Sequence, residues 1–204
     1  SKMYLNQEDF VSGDKTNNTP FFFAEISDNV GINLSGWHGH ELTVTIEGLN
    51  VNYLMTYDLT SSFLNTANSS NSGVIRYLIP ELPNGSYNLT LRVWDVNNNS
   101  ATREIQFTVS DEYVPRINEF FIYGNPAHEK TRFVLTTNTP GSGIMVTFQV
   151  YNMAGALLWT HQERAASGSF VQNIEYEWNL VTGNGWRLRP GIYIVRASVT
   201  SNGV

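Results

Sequence analysis

The chain has 204 residues and a formal net charge of −6, carries twelve scattered Lys and Arg, and contains no cysteine. Scattered cations argue against a phosphate-binding surface, and so against nucleic acid, while the missing thiol excludes disulfides, thiolate metal sites and a cysteine nucleophile within this chain. Aromatic residues make up 13% and charged residues 15%, a strand-and-turn composition, and the length allows two domains of about 100 residues each.

No apolar run approaches the roughly eighteen residues that a spanning helix needs, and no basic-then-apolar leader opens the chain. Absence of cysteine does not by itself place the chain in the cytosol. It begins in mid-pattern with S-K-M-Y-L, which reads as the start of a C-terminal piece of a longer polypeptide. No long segment has apolar residues at helical spacing without Gly, Pro or an Asn cluster interrupting it, so an all-β chain is expected.

Residues 1–19 hold one apolar patch (Tyr4, Leu5, Phe10, Val11) and then a polar run, and read as a linker with a partial strand. A first strand is expected at 21–26 and a second at 42–47, where apolar and polar residues alternate strictly. The pattern weakens after Gly48, with a short strand at 53–57 and an exposed loop at 65–73, and resumes at 73–79. Asn84-Gly85 favours the primed turn that joins antiparallel strands. Tyr87, Leu89, Leu91 and Val93 then share one face, as do Ile105, Phe107 and Val109. Six or seven short strands over residues 20–112 are the pattern of an immunoglobulin-like sandwich.

Two acids and a proline at 110–116 break the alternation and mark a domain boundary. A second sandwich over 113–204 is expected from strands at 117–123, 131–136, 143–151, 156–163, 171–178 and 192–199. Its last part, from Trp178 through the turn Thr182-Gly183-Asn184-Gly185 and Pro190-Gly191 to Val199, reads as a closing hairpin. The fold class is thus all-β, as two consecutive immunoglobulin-like β-sandwiches.

The order of pieces in the second unit is distinctive: Gly124-Asn125-Pro126, then T-R-F-V-L from Thr131, V-T-F-Q-V-Y-N-M-A-G from Val146, Trp178, and P-G-I-Y-I-V-R from Pro190. It resembles a FlgD-type immunoglobulin-like domain of the kind found at the C-termini of proteins exported by type IX secretion. In the first unit, A-E-I-S-D-N-V-G-I-N from Ala24, G-H-E-L-T-V-T-I from Gly39, L-P-N-G-S-Y-N-L-T-L from Leu82 and V-W-D-V-N-N-N-S from Val93 are similar to the region after the catalytic domain in PorU-like, gingipain-type cysteine peptidases. The match covers roughly residues 20–200. One departure is Trp178-Asn179-Leu180 where such relatives have Trp-Asp-Gly, so a differently shaped turn is expected there.

The resemblance implies a non-catalytic C-terminal segment of a surface or secreted protein of a Gram-negative bacterium. Its implied partners are an upstream peptidase domain in the same chain and the secretion or attachment machinery at the outer membrane. The alternative is an adhesion or glycan- or protein-binding module.

Few residues offer chemistry. Asp95, Asn97 and Asn99 have the alternate spacing that places oxygens around calcium, but the loop's usual Gly is missing and residue 106 is Gln instead of Glu. An Asn-rich turn explains the same residues by side-chain to backbone bonds. Calcium is therefore the one cofactor to weigh, and no cofactor is the expectation. His38 and His40 lack a third ligand, with His128 and His161 in the other unit. No Gly-x-Ser-x-Gly elbow occurs, and no catalytic residue is expected. Trp94 and Trp178, at strand ends, are expected in the cores, and Trp37 and Trp186, flanked by turn residues, on the surface.

Overall fold

The computed structural model describes residues 2–36, 38–67, 69, 71–140, 143–165 and 173–201. These residues form strands, turns and one 3-10 turn at Thr60–Ser62, and no helix among them is long and apolar enough to cross a membrane. The chain divides into two compact units, Ser1–Tyr113 and Val114–Val204.

The first unit contains β1 (Met3–Leu5), β2 (Lys15–Thr16), β3 (Phe21–Ser27), β4 (Thr43–Gly48), β5 (Leu54–Asp58), β6 (Phe63–Asn65), β7 (Ser72–Leu78), β8 (Gly85–Trp94) and β9 (Ser100–Val109). A four-stranded sheet, β1-β3-β7-β6, lies against a five-stranded one, β2-β9-β8-β4-β5. The period-two alternation of the sequence decides what lies between them. Tyr87, Leu89 and Leu91 of β8, Ile105, Phe107 and Val109 of β9, and Val44 and Ile46 of β4 are all buried in one core.

Two expectations are corrected here. Residues 1–19, read as a linker with a partial strand, do hold a strand but do not otherwise serve as a linker: β1 pairs with β3, β2 pairs in parallel with β9, and Leu5 is fully buried. The chain crosses between the sheets at Asn6, whose Nδ2 donates to Thr16 Oγ1 (2.9 Å) and Asn17 Oδ1 (2.8 Å) while its Oδ1 accepts from the Phe21 amide (2.8 Å). A polar run thus belongs to the fold because its side chains satisfy buried groups. The second correction concerns Asn84-Gly85, which forms no hairpin, since β7 and β8 lie in different sheets. Ile79 and Leu82 are buried, so the connection is drawn across the end of the core. Gly85 is needed for close approach: a Cβ there would stand 2.8 Å from Val51 Cγ1.

The second unit contains β10 (Ile117–Tyr123), β11 (Thr131–Thr137), β12 (Ile144–Tyr151), β13 (Leu157–Arg164), β14 (Ile174–Trp178) and β15 (Ile194–Ser201). They form two three-stranded sheets, β10-β11-β14 and β13-β12-β15. Ile144, Val146, Phe148 and Val150 alternate inward along β12 and meet Phe133, Leu135 and Trp178. Rings carry much of this core: Phe133 stacks on Phe148 at 5.3 Å and Trp159 on Trp178 at 4.8 Å.

The closing hairpin is also corrected. Trp178 ends β14 in one sheet while β15 belongs to the other, so residues 179–193 are a crossover. Its turn does form, with the Gly185 amide donating to the Thr182 carbonyl (3.0 Å) and Val181 bridging to Arg187, but the strands flanking it are not each other's partners. On β15 it is Val195, Ala197 and Val199, with Tyr193 just ahead, that pack inward, while Ile192 and Ile194 are exposed.

Candidate functional site

The Asp95 loop joins β8 to β9 in a tight turn. Asp95 Oδ1 accepts from the amides of Asn97 and Asn99, both at 2.8 Å, Oδ2 accepts from Asn99 Nδ2 at 2.7 Å, and Asn98 takes a left-handed φ of 67°. Those bonds, led by the Asn99 side chain, hold the Asp95 carboxyl below its ordinary pKa. The loop between β12 and β13 is built alike: Asn152 Oδ1 accepts from the amides of Ala154 (3.0 Å) and Ala156 (2.9 Å), and Gly155 has φ 81°. A carboxamide thus does in one sandwich what a carboxylate does in the other. Both Asp95 oxygens already serve the turn, and Asn97 contributes a backbone amide to it. Among the described residues no group of three or more His, Cys, Asp or Glu is placed to hold a metal ion.

His38 and His40 are not side by side on a strand. His38 stands in solvent 3.8 Å from Glu41, whereas the His40 ring meets Trp94 edge-on at 4.5 Å. Trp94 is half-buried and carries the Arg92 guanidinium over its ring at 4.5 Å, which corrects its expected place in the core. Trp178 is buried, with Nε1 donating to the Val181 carbonyl at 3.0 Å. Trp37 lies outside the described residues. His161 stacks on Tyr176 at 3.8 Å inside the second sandwich, far in the sequence from His128 in the loop after β10.

A cleft of about 850 Å³ lies at one end of the second sandwich. Its floor is apolar, made by Phe133, Val150, Trp178 and Val195, and its walls are residues 124–128 and 187–193. Arg187 Nη2 donates to the His128 carbonyl at 2.8 Å and ties one wall to the other. Arg187 and Arg189 both line the cleft, and no acidic residue does. Tyr193 forms the corner before β15, with Oη donating to the Arg189 carbonyl at 2.7 Å.

Leu180, where the resembled family has glycine, lines the same cleft and takes φ 60°. The crossover therefore keeps a left-handed residue without a glycine, a conformation that costs an L-residue about 1–2 kcal/mol. Its carbonyl accepts from the Leu188 amide at 2.8 Å, and its side chain packs on the core, which holds it there. Trp186 projects from the tip of the crossover turn, 76% exposed.

Sequence reasoning missed this cleft, because its walls come from segments some sixty residues apart that no local pattern connects. The only local sign is R-L-R ahead of Pro190-Gly191, two cations on the same side of an extended chain.

No family model and no curated protein matches the sequence. Among solved structures, the chain is similar to dimeric latent PorU from Porphyromonas gingivalis, at 33% identity over 99% of this chain with a TM-score of 0.54. It spans 18% of that PorU chain. A likeness to CopC from Methylosinus trichosporium OB3b, at 15% identity and a TM-score of 0.34 over 54% of this chain and 96% of that one, bears on neither fold nor function. The resemblance carried by the motifs of both halves extends over nearly the whole chain, which is a PorU-like segment built as consecutive β-sandwiches.

Proposed function

We propose that the chain is a non-catalytic C-terminal segment of a bacterial cell-surface or secreted protein, a gingipain-type peptidase linked to type IX secretion. In this reading it serves spacing, docking or attachment at the outer membrane of a Gram-negative cell, and its second sandwich is of the FlgD type. The observation that carries the reading is similarity to PorU along 99% of this chain but only 18% of that protein, which is what a segment joined to a larger working part would give. The upstream peptidase domain and the outer-membrane machinery are its partners on this view.

The test is to read the coding sequence upstream of residue 1 and to delete residues 113–204 in the source cell. The expected results are a caspase-like domain with a Cys and His pair upstream, and loss of the parent protein from the surface fraction. An upstream region without such a domain would sink the peptidase version. Retention of the deleted form at the surface would sink the attachment role.

A second reading, a glycan-binding module, has one observation in its favour: the Trp186 ring stands on the surface beside the turn at 182–185, 76% exposed, where a sugar face can stack. A glycan array probed with the chain and with Trp186→Ala separates the readings. Binding lost in the variant favours the glycan, and an array blank for both removes it.

A further inference from the structure

An asparagine side chain reacts most readily with its own backbone where the next residue is glycine, because no Cβ there blocks the approach to the nitrogen. The chain holds three Asn-Gly pairs. Asn202-Gly203 lies outside the described residues, and the structure puts Asn84-Gly85 and Asn184-Gly185 in opposite surroundings.

The first pair is held. Gly85 opens β8 in register with Val109 of β9, and β8 is flanked by β9 and β4. A Cβ at Gly85 would stand 2.8 Å from Val51 Cγ1 and 3.1 Å from Asn50 Oδ1, so little space is left there for a ring to close on the backbone. The Asn84 side chain is engaged as well, with Nδ2 donating to Asp111 Oδ2 at 2.6 Å.

The second pair is open. Asn184 and Gly185 are both exposed at the tip of the crossover, and Gly185 takes φ 82°. Beyond its chain neighbours, no heavy atom lies within 4 Å of the place its Cβ would take. What holds it are the bonds of one turn: the Gly185 amide donates to the Thr182 carbonyl at 3.0 Å, and the Trp186 amide to Thr182 Oγ1 at 3.2 Å. An exposed turn opens locally at small cost, whereas a strand flanked on both sides opens only with its sheet.

We propose that Asn184 is a site of spontaneous deamidation in the folded protein and that Asn84 is protected from it. Once the turn opens, the Gly185 amide gives its proton to hydroxide and its nitrogen attacks Asn184 Cγ. The new N–Cγ bond closes a five-membered succinimide as the Cγ–Nδ2 bond breaks. Nδ2 leaves as ammonia, taking a proton from water, which regenerates the hydroxide. Water then opens the imide at either carbonyl, leaving aspartate or isoaspartate, and nothing is oxidised or reduced. Both products add a negative charge to the turn that precedes Arg187. Isoaspartate also adds a methylene to the backbone between Thr182 and Gly185, so the bond joining them and the Val181–Arg187 bridge are lost. The modification thereby loosens the wall of the cleft that carries Arg187. None of this depends on the docking reading above.

The test ages the 204-residue chain in mildly alkaline buffer, folded in one sample and unfolded in urea in another, and maps both by mass after cleavage at Lys and Arg. Asn84 then lies in the peptide ending at Arg92, Asn184 in the one ending at Arg187, and Asn202 in the last. Fragmentation places the gain in mass of an acid over an amide, and an isoaspartate-specific methyltransferase marks the isomer. In the folded chain Asn184 should convert at least about tenfold faster than Asn84, as their different costs of opening require, while in urea the two should convert alike. Equal rates in the folded chain would overturn the proposal. So would an Asn184 that stays intact while the urea sample reacts. Asn184→Gln, shown by its melting curve to fold, should leave the peptide ending at Arg187 unchanged, and a signal persisting there would assign the reaction to another residue and overturn the site. Amide hydrogen exchange of the aged chain should show protection lost at residues 182–187. Protection unchanged there would overturn the loosening of the cleft wall.

Discussion

The two corner tyrosines make the same bond at the same length, Tyr87 Oη to the Pro83 carbonyl and Tyr193 Oη to the Arg189 carbonyl, each at 2.7 Å, yet their surroundings differ. Tyr87 is fully buried, stacked on Phe107 of β9 at 5.3 Å, whereas Tyr193 is half-buried and lines a cleft. Among the described residues β9 pairs with β8 beside the first corner, and none pairs with β15 beside the second. The first sandwich has nineteen residues in its buried cluster and the second seven among the described residues, so the second relies on ring stacking around Phe133, Phe148 and Trp178 for its cohesion. Among the described residues the same corner bond is thus made once by a fully buried ring and once by a half-buried one.

The sharpest way to break this contrast is in the cores. Phe148→Ala should cost the second sandwich about 3–5 kcal/mol, a large part of a small domain's stability. It should leave amide exchange in the first sandwich unchanged. Loss of protection in both would show that they unfold as one. Leu5→Ala should cost the first sandwich about 2–5 kcal/mol, although it falls in a stretch that reads as linker. A cost near zero would return residues 1–19 to that role.

The corners themselves come next. Tyr87→Phe leaves the Pro83 carbonyl without its donor in a half-buried place and should cost about 1 kcal/mol, against about 0.5 kcal/mol for Tyr193→Phe, where the bond is exposed. Equal melting shifts would mean that the second corner is as enclosed as the first.

Smallest of all is the pair of Asx turns. Asp95 has its carboxyl pKa lowered from 3.8, chiefly by the Asn99 side chain. A lowered folded-state value means stability that is present above about 3.8 and lost as pH falls through the lowered value. Asp95→Asn, which copies Asn152, should therefore melt slightly below the unaltered chain at pH 7, and the gap should close in acid. Melting curves taken in calcium and in chelator should coincide. A shift between them would restore Asp95, Asn97 and Asn99 as a cation site.

Much of this was legible in the chain. The alternation along β8, β9 and β12 fixes which side chains face inward, because a strand has a period of two whatever it pairs with. The turn at 182–185 forms as read. The partners of strands were not legible. Asn84-Gly85 and Thr182-Gly183-Asn184-Gly185 are both turn signals, yet in both places the chain crosses between sheets instead of folding back on one. Leu180 could not be recognised as left-handed either, since a hydrogen bond from the Leu188 amide to its carbonyl, with one from Trp178 Nε1 to the next carbonyl at Val181, holds it in a conformation its own side chain disfavours.

What the sequence by itself determined was the all-β class, the inward face of each alternating strand and the likeness to PorU-like proteins, all of which rest on local pattern and residue order. Tertiary structure alone decided that residues 1–19 complete the first sandwich, that β14 and β15 part into different sheets, and that Arg187, Arg189 and Tyr193 gather around an apolar cleft. The physical reason is that strand pairing and cleft walls are made between segments far apart in the chain, and periodicity says which way a side chain points but not what it will meet.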